Sequence, residues 1–244
     1  MPRVKGTFAM KNIAALICSA AVAFAADLPT ADEVIANVME RDHARQASIG
    51  AYSVTSKYVL HNKDRHAEMV VRWTRQANGV KEFVVLAEQG DGGVRKHVFH
   101  RLLAAEVEAS QPEQQARTGI TPDNYSFLLF GIQQTAGREA FVIDLEPKTD
   151  NKYLTRGRIW VDACDLAIMR VEGAPAHKVS FWTKNVNFLQ TFEKNGTWWL
   201  PESNHSLTEA RLFGLADLTI EYSNYEFGQV APVRSEFAAR SNIR

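Results

Sequence analysis

Cysteine is nearly absent: two occur in 244 residues, and one of them, Cys18, lies in an N-terminal stretch that reads as a removable leader. Cys164 then has no intramolecular partner, so no disulfide framework holds the fold and a packed core must. Net charge is missing too. The 28 Lys and Arg balance 28 Asp and Glu, which removes the basic excess that nucleic-acid binders use to meet phosphate. Eight prolines and 14 glycines are too few for a collagenous or low-complexity chain. Long apolar runs are also lacking. The most apolar stretch, Ile13 to Phe24, reaches only about 18 Å as a helix, against a hydrocarbon core of about 30 Å. A membrane-spanning protein is therefore not expected. There is no G-x-S-x-G elbow, C-x-x-C, phosphate loop or dinucleotide glycine fingerprint, so no enzyme chemistry can be named and no cofactor is implied.

What is present begins with an export signal over residues 1–25. Arg3, Lys5 and Lys11 precede the apolar stretch, and Ala23-Phe24-Ala25 supplies a cleavage site. The expected address is the periplasm. Removing the leader takes three bases and no acid, leaving 25 bases against 28 acids, a net of −3. Residues 26–227 read as one domain, and residues 228–244 as a polar, basic tail with no packing pattern, expected to be disordered.

Periodicity divides the domain. Thr30 and Glu33 form a T-x-x-E capping box ahead of Val34, Ile35 and Val38 at helical spacing, predicting a helix from Ala31 to Gln46. Three strands follow, Tyr52 to Leu60, His66 to Gln76 and Glu82 to Glu88. Their predicted inward sets are Tyr52, Val54, Tyr58 and Leu60; Ala67, Met69, Val71 and Trp73; and Phe83, Val85 and Ala87. From Val94 to Glu108 the period turns helical again, with Val94, Val98 and Leu102 in one stack and Phe99 and Leu103 beside it. The polar connector Ser110 to Asp123 reads as a mobile loop. Seven more strands are expected: Tyr125 to Gln133, Ala140 to Glu146, Arg158 to Asp162, Ala167 to Glu172, Val179 to Phe192, Trp198 to Glu209 and Leu215 to Phe227.

Ten strands joined by tight turns, with two helices, give a mainly β fold: one curved antiparallel sheet forming an unclosed half barrel, with a helical lid. The candidates for an apolar cavity are Tyr58, Met69, Val71, Trp73, Phe83, Val85, Phe99, Leu103, Phe127, Phe141 and Trp160. Bulky residues around a wide barrel either fill it or line a pocket, and the pattern leaves both open.

Two segments carry a family likeness. Phe141-Val142-Ile143-Asp144-Leu145-Glu146-Pro147-Lys148 is followed by Gly157-Arg158-Ile159-Trp160-Val161-Asp162, a turn, and Ile168-Met169-Arg170-Val171-Glu172-Gly173. Together with the element order, this resembles the LolA-like superfamily of periplasmic outer-membrane lipoprotein-sorting proteins. The resemblance implies a non-enzymatic carrier of lipid or lipoprotein acyl chains. Its alternative is an envelope-stress regulator acting through contacts with a membrane-associated protein. It also implies a functional arginine near the cavity, for which Arg72, Arg75 and Arg170 compete.

Other chemistry reads as structural. Cys164 sits beside Asp162 and Asp165, whose negative charge works against a reactive thiolate. His97 and His100 lack a third metal ligand, and His61 and His66 flank a hairpin turn where they can pair. Asp144, Asp162, Glu172 and Arg170 are expected in ion pairs on the solvent side.

Overall fold

The computed structural model describes residues 28–151, 153–177, 183–210 and 214–228. The expected leader, and the tail beyond residue 228, lie outside the described residues. Helix α1 (Ala31–Ile49) starts where the capping box places it: the Thr30 hydroxyl accepts from Glu33 N, while Thr30 N donates to the Glu33 carboxylate at 2.8 Å. Gly50, at φ +64°, ends it in a conformation that a side chain would resist.

The strands that follow are β1 (Tyr52–Asn62), β2 (Arg65–Arg75) and β3 (Lys81–Gly90). A helical segment comes next, made of α2 (Gly92–Val94), a π-helical turn (Arg95–Phe99) and α3 (His100–Ala109). Short helix α4 (Pro112–Thr118) lies inside the connector expected to be a loop. Pro112 occupies its first turn, where a missing N–H costs nothing, and Gln and Ala continue it. The remaining strands are β4 (Tyr125–Thr135), β5 (Arg138–Pro147), β6 (Thr155–Asp162), β7 (Ile168–Pro175), β8 (Thr183–Asn195), β9 (Trp198–Ala210) and β10 (Gly214–Phe227).

All ten form one antiparallel sheet in the order β3-β2-β1-β10-β9-β8-β7-β6-β5-β4. The chain's first and last strands therefore pair in the interior of the sheet, while β3 and β4, consecutive in sequence, become its two edges. The sheet stays unclosed, and α2 to α4 bridge the interval between its edges.

The inner face is covered in two halves. The α2–α3 segment places Val94, Phe99 and Leu103 against Tyr58, Met69, Val71 and Trp73, with Leu200, Leu218 and Ile220 completing that core. Helix α1 places Val34, Ile35 and Val38 against Tyr125, Ile143, Leu145, Ile159 and Val161. A third, small cluster of Ala140, Val142, Trp160 and Met169 lies on the opposite face of β5–β7, because neighbours along a strand point to opposite sides.

Two expectations about facing are corrected here. Ala87 is exposed: a bulge between Val70 and Val71 moves it opposite Val70, an outward position. Asp162, expected on the solvent side, is 1% exposed. It is held by the Arg138 guanidinium and by the backbone N–H groups of Cys164 and Asp165, at 3.1 and 2.6 Å.

Candidate functional site

The sequence-predicted cavity residues divide between these clusters. Tyr58, Met69, Val71, Trp73, Phe99 and Leu103 are each no more than 2% exposed, with Phe83 and Val85 packed at their margin. Phe127 and Phe141 belong to the α1 side, and Trp160 sits on the outer face, its indole N–H donating to Gln133 at 3.1 Å beneath the Arg170 guanidinium. The void left beside Trp73, bordered by Tyr52, Val54 and Tyr222, is about 10 Å³, room for a single water. In this arrangement the space beneath the second helical segment is filled.

The open space lies to one side of it. A cleft of about 960 Å³ runs between the C-terminal half of α1, the β2–β3 turn, the α3–α4 corner and the β8–β9 hairpin. None of the predicted cavity residues borders it. Its apolar wall is formed by Val38, Ile49, Ile120, Ile168, Phe192, Trp198 and Leu200. Trp198 stacks on Phe227 with ring centroids 4.9 Å apart and donates its indole N–H to Ser48 at 3.1 Å, which fixes it at the end of α1. Trp199, its neighbour on β9, donates to Asp165 at 3.2 Å. These residues escaped the sequence reading because the cleft forms where elements distant in the chain meet. The one available signal was the Trp198-Trp199 pair directly after the Asn195-Gly196 turn.

Charged groups stand at the rim. Of the three competing arginines, Arg75 alone borders the cleft. Arg72 lies on the outer face 3.9 Å from Glu226, and Arg170 pairs with Glu172 at 2.6 Å. The Arg75 guanidinium donates to Gly50 O at 3.1 Å, to Gln76 O and to the Gln46 side chain, and it lies 5.8 Å from the centre of the Tyr52 ring. These hydrogen-bond partners are neutral oxygens, and Arg75 borders the cleft.

Lys81 Nζ meets Glu106 Oε1 at 2.8 Å. Burial opposes the Lys81 charge, but Glu106 outweighs it and holds the ammonium pKa above its ordinary value. Burial likewise pushes the Tyr52, Tyr58, Tyr222 and Tyr225 hydroxyls up. They stay neutral, and Tyr225 donates to Pro201 O at 2.6 Å.

The same pair ties α3 to the β3 edge. Lys81 N also donates to Ser110 Oγ at 3.0 Å, and Glu88 receives Arg95 at 2.9 Å and His100 at 3.2 Å. Half-exposed ion pairs contribute about 0.2–1 kcal/mol each. Burying Val94, Phe99 and Leu103 contributes about 1.5–3 kcal/mol each. Apolar packing therefore decides whether this segment stays down, and the ion pairs set where it lands.

No family model matches this chain, and no curated protein does. Among solved structures it is similar to a DUF1329 family protein from Desulfovibrio piger, at 14% identity over 81% of this chain and 92% of that one, with a TM-score of 0.45. It is also similar to a LolA superfamily protein from Nitrosomonas europaea, at 12% identity over 84% and 96% of the two chains, with a TM-score of 0.46.

Proposed function

We propose that this chain is an exported, periplasmic binder of lipid or lipoprotein acyl chains, that its guest enters by the cleft beside α1, and that α2–α3 acts as the lid. The observation that carries this reading is the cleft itself: about 960 Å³, apolar along one wall and cationic at Arg75 on its rim. That size lies at the upper end of ligand pockets, which run from about 300 to 1,000 Å³. Each methylene withdrawn from water contributes about 0.8 kcal/mol, so an acyl chain seated there gains affinity with length. A lid that lifts at the glycines Gly90, Gly92 and Gly93 and at the α4 connector joins the cleft to the faces of Tyr58, Trp73 and Phe99. Tyr58, Met69, Val71 and Trp73, four of the predicted cavity residues, then line the inner end of the site.

The test is native mass spectrometry of the purified chain, together with uptake of a fluorescent fatty acid. Bound lipid mass, or uptake that falls at least tenfold in Ile168→Asp with the fold intact by circular dichroism, supports the reading. A chain that carries no lipid and takes up no probe overturns it.

A second reading, regulation through a protein partner, is favoured by strand β4. It is an edge strand of 11 residues without a charge or proline, and Leu128 and Phe130 are 66% and 59% exposed. Such an edge is open to pairing with an extended segment of another chain.

A further inference from the structure

The outer face of the sheet, away from the cleft, carries a histidine pair that the proposed function does not use. His61 on β1 and His66 on β2 are direct cross-strand partners, and His61 is also opposite Asp217 on β10. Their Nδ1 atoms are 3.2 Å apart and their ring centres 4.5 Å apart. On the far side of its ring, His66 Nε2 lies 3.2 Å from Glu68 Oε1. Glu68 is itself held by Gln89 at 3.2 Å and by Lys57 at 3.5 Å. A carboxylate at Nε2 favours the tautomer with its proton there and leaves the Nδ1 lone pair of His66 directed at His61.

Two imidazole nitrogens bound to one tetrahedral zinc, each at about 2.0–2.1 Å, are separated by about 3.3 Å. The observed spacing is within about 0.1 Å of that value, both rings are exposed, and the strand pairing holds both Cα atoms in place. The carboxylate behind His66 is the outer support that metal-bound histidines commonly have. We propose that His61 and His66 chelate one borderline divalent cation through their Nδ1 atoms, with Glu68 as the positioning residue and water completing the coordination. Among the described residues no group of three or more metal-binding side chains converges, so this is a two-ligand site with open positions. Asp217 is the carboxylate facing it across β10, and it is engaged by His205 at 2.9 Å. Without metal, the short Nδ1 contact is an N–H···N hydrogen bond. Metal binding then moves one proton of His61 from Nδ1 to Nε2, a tautomer change with no net proton release.

The test titrates Zn²⁺ into the tag-free chain in a non-chelating buffer. Calorimetry gives the stoichiometry, and long-range ¹H–¹⁵N spectra report on the ring nitrogens. The expected result is one equivalent bound, with both Nδ1 resonances shifted. Affinity should fall at least tenfold in His61→Ala and in His66→Ala, about tenfold in Glu68→Gln, and not at all in His205→Ala or Cys164→Ser. Unmoved Nδ1 resonances at millimolar Zn²⁺, or unchanged binding in His61→Ala, would overturn the proposal and leave the hydrogen bond as the whole explanation of the contact. Should a variant fail to fold, the wild-type ring resonances still decide.

Discussion

Truncating Phe99 to alanine separates a lid from an ordinary piece of core. The Phe99 ring is fully buried and lies 5.9 Å from the Tyr58 ring, at the end of the π-helical turn. Replacing a buried Phe by Ala costs about 3–5 kcal/mol. If α2–α3 opens as its own unit, a loss of about 3 kcal/mol raises its open population about 100-fold, at about 1.4 kcal/mol per tenfold. Native-state hydrogen exchange resolves this by region. Amides of His100–Ala109 should then exchange about 100-fold faster, while those of β5–β7, buried under α1 in the other half of the sheet, keep their wild-type rates. Should all amides speed up together, the segment belongs to the global folding unit and the lid reasoning is refuted.

Asp162→Asn should lower stability by about 2 kcal/mol in urea denaturation, since hydrogen bonds to a charged group contribute about 1.5–3 kcal/mol. Burial opposes the Asp162 charge, but the hydrogen bonds from Arg138, Asp165 and Cys164 outweigh it and hold its pKa below the ordinary value. Its contribution is therefore complete above the unfolded pKa of about 3.9 and is lost as the pH falls through the lower folded value. The wild type and Asp162→Asn should accordingly converge in stability below that range, and a gap that persists in acid argues against the assignment. Gly90→Ala should destabilise the turn from β3 into the lid, because φ there is +86° and an added Cβ would fall 2.2 Å from His66 O. A melting temperature equal to wild type would show that the backbone there yields. Leu128→Lys should leave the melting temperature at the wild-type value, because it places a charge at an exposed edge position. A lowered melting temperature would show that Leu128 packs against the fold.

Much of the architecture was legible before any coordinates. The capping box set the start of α1, and period-two alternation in Tyr52, Val54, Tyr58 and Leu60 placed them on one buried face. Turn residues separated strands whose ends differ from expectation by a few residues, as at Asn62 and Gly90. What failed was local context. One bulge turned Ala87 outward, a proline at a first turn made a helix within the connector, and Asp162 became buried because Arg138, 24 residues earlier, reached it.

The amino-acid order alone determined the ten strands, the helices bracketing the first three, and the inward faces of β1 and β2, because each of these depends on periodicity and turn chemistry within a dozen residues. Tertiary structure alone decided that β1 and β10 pair, that the inner face divides into two packed halves, and that the open space is a cleft walled by Ile49, Phe192 and Trp198. A void is a property of how distant surfaces fail to meet, and no local pattern encodes it.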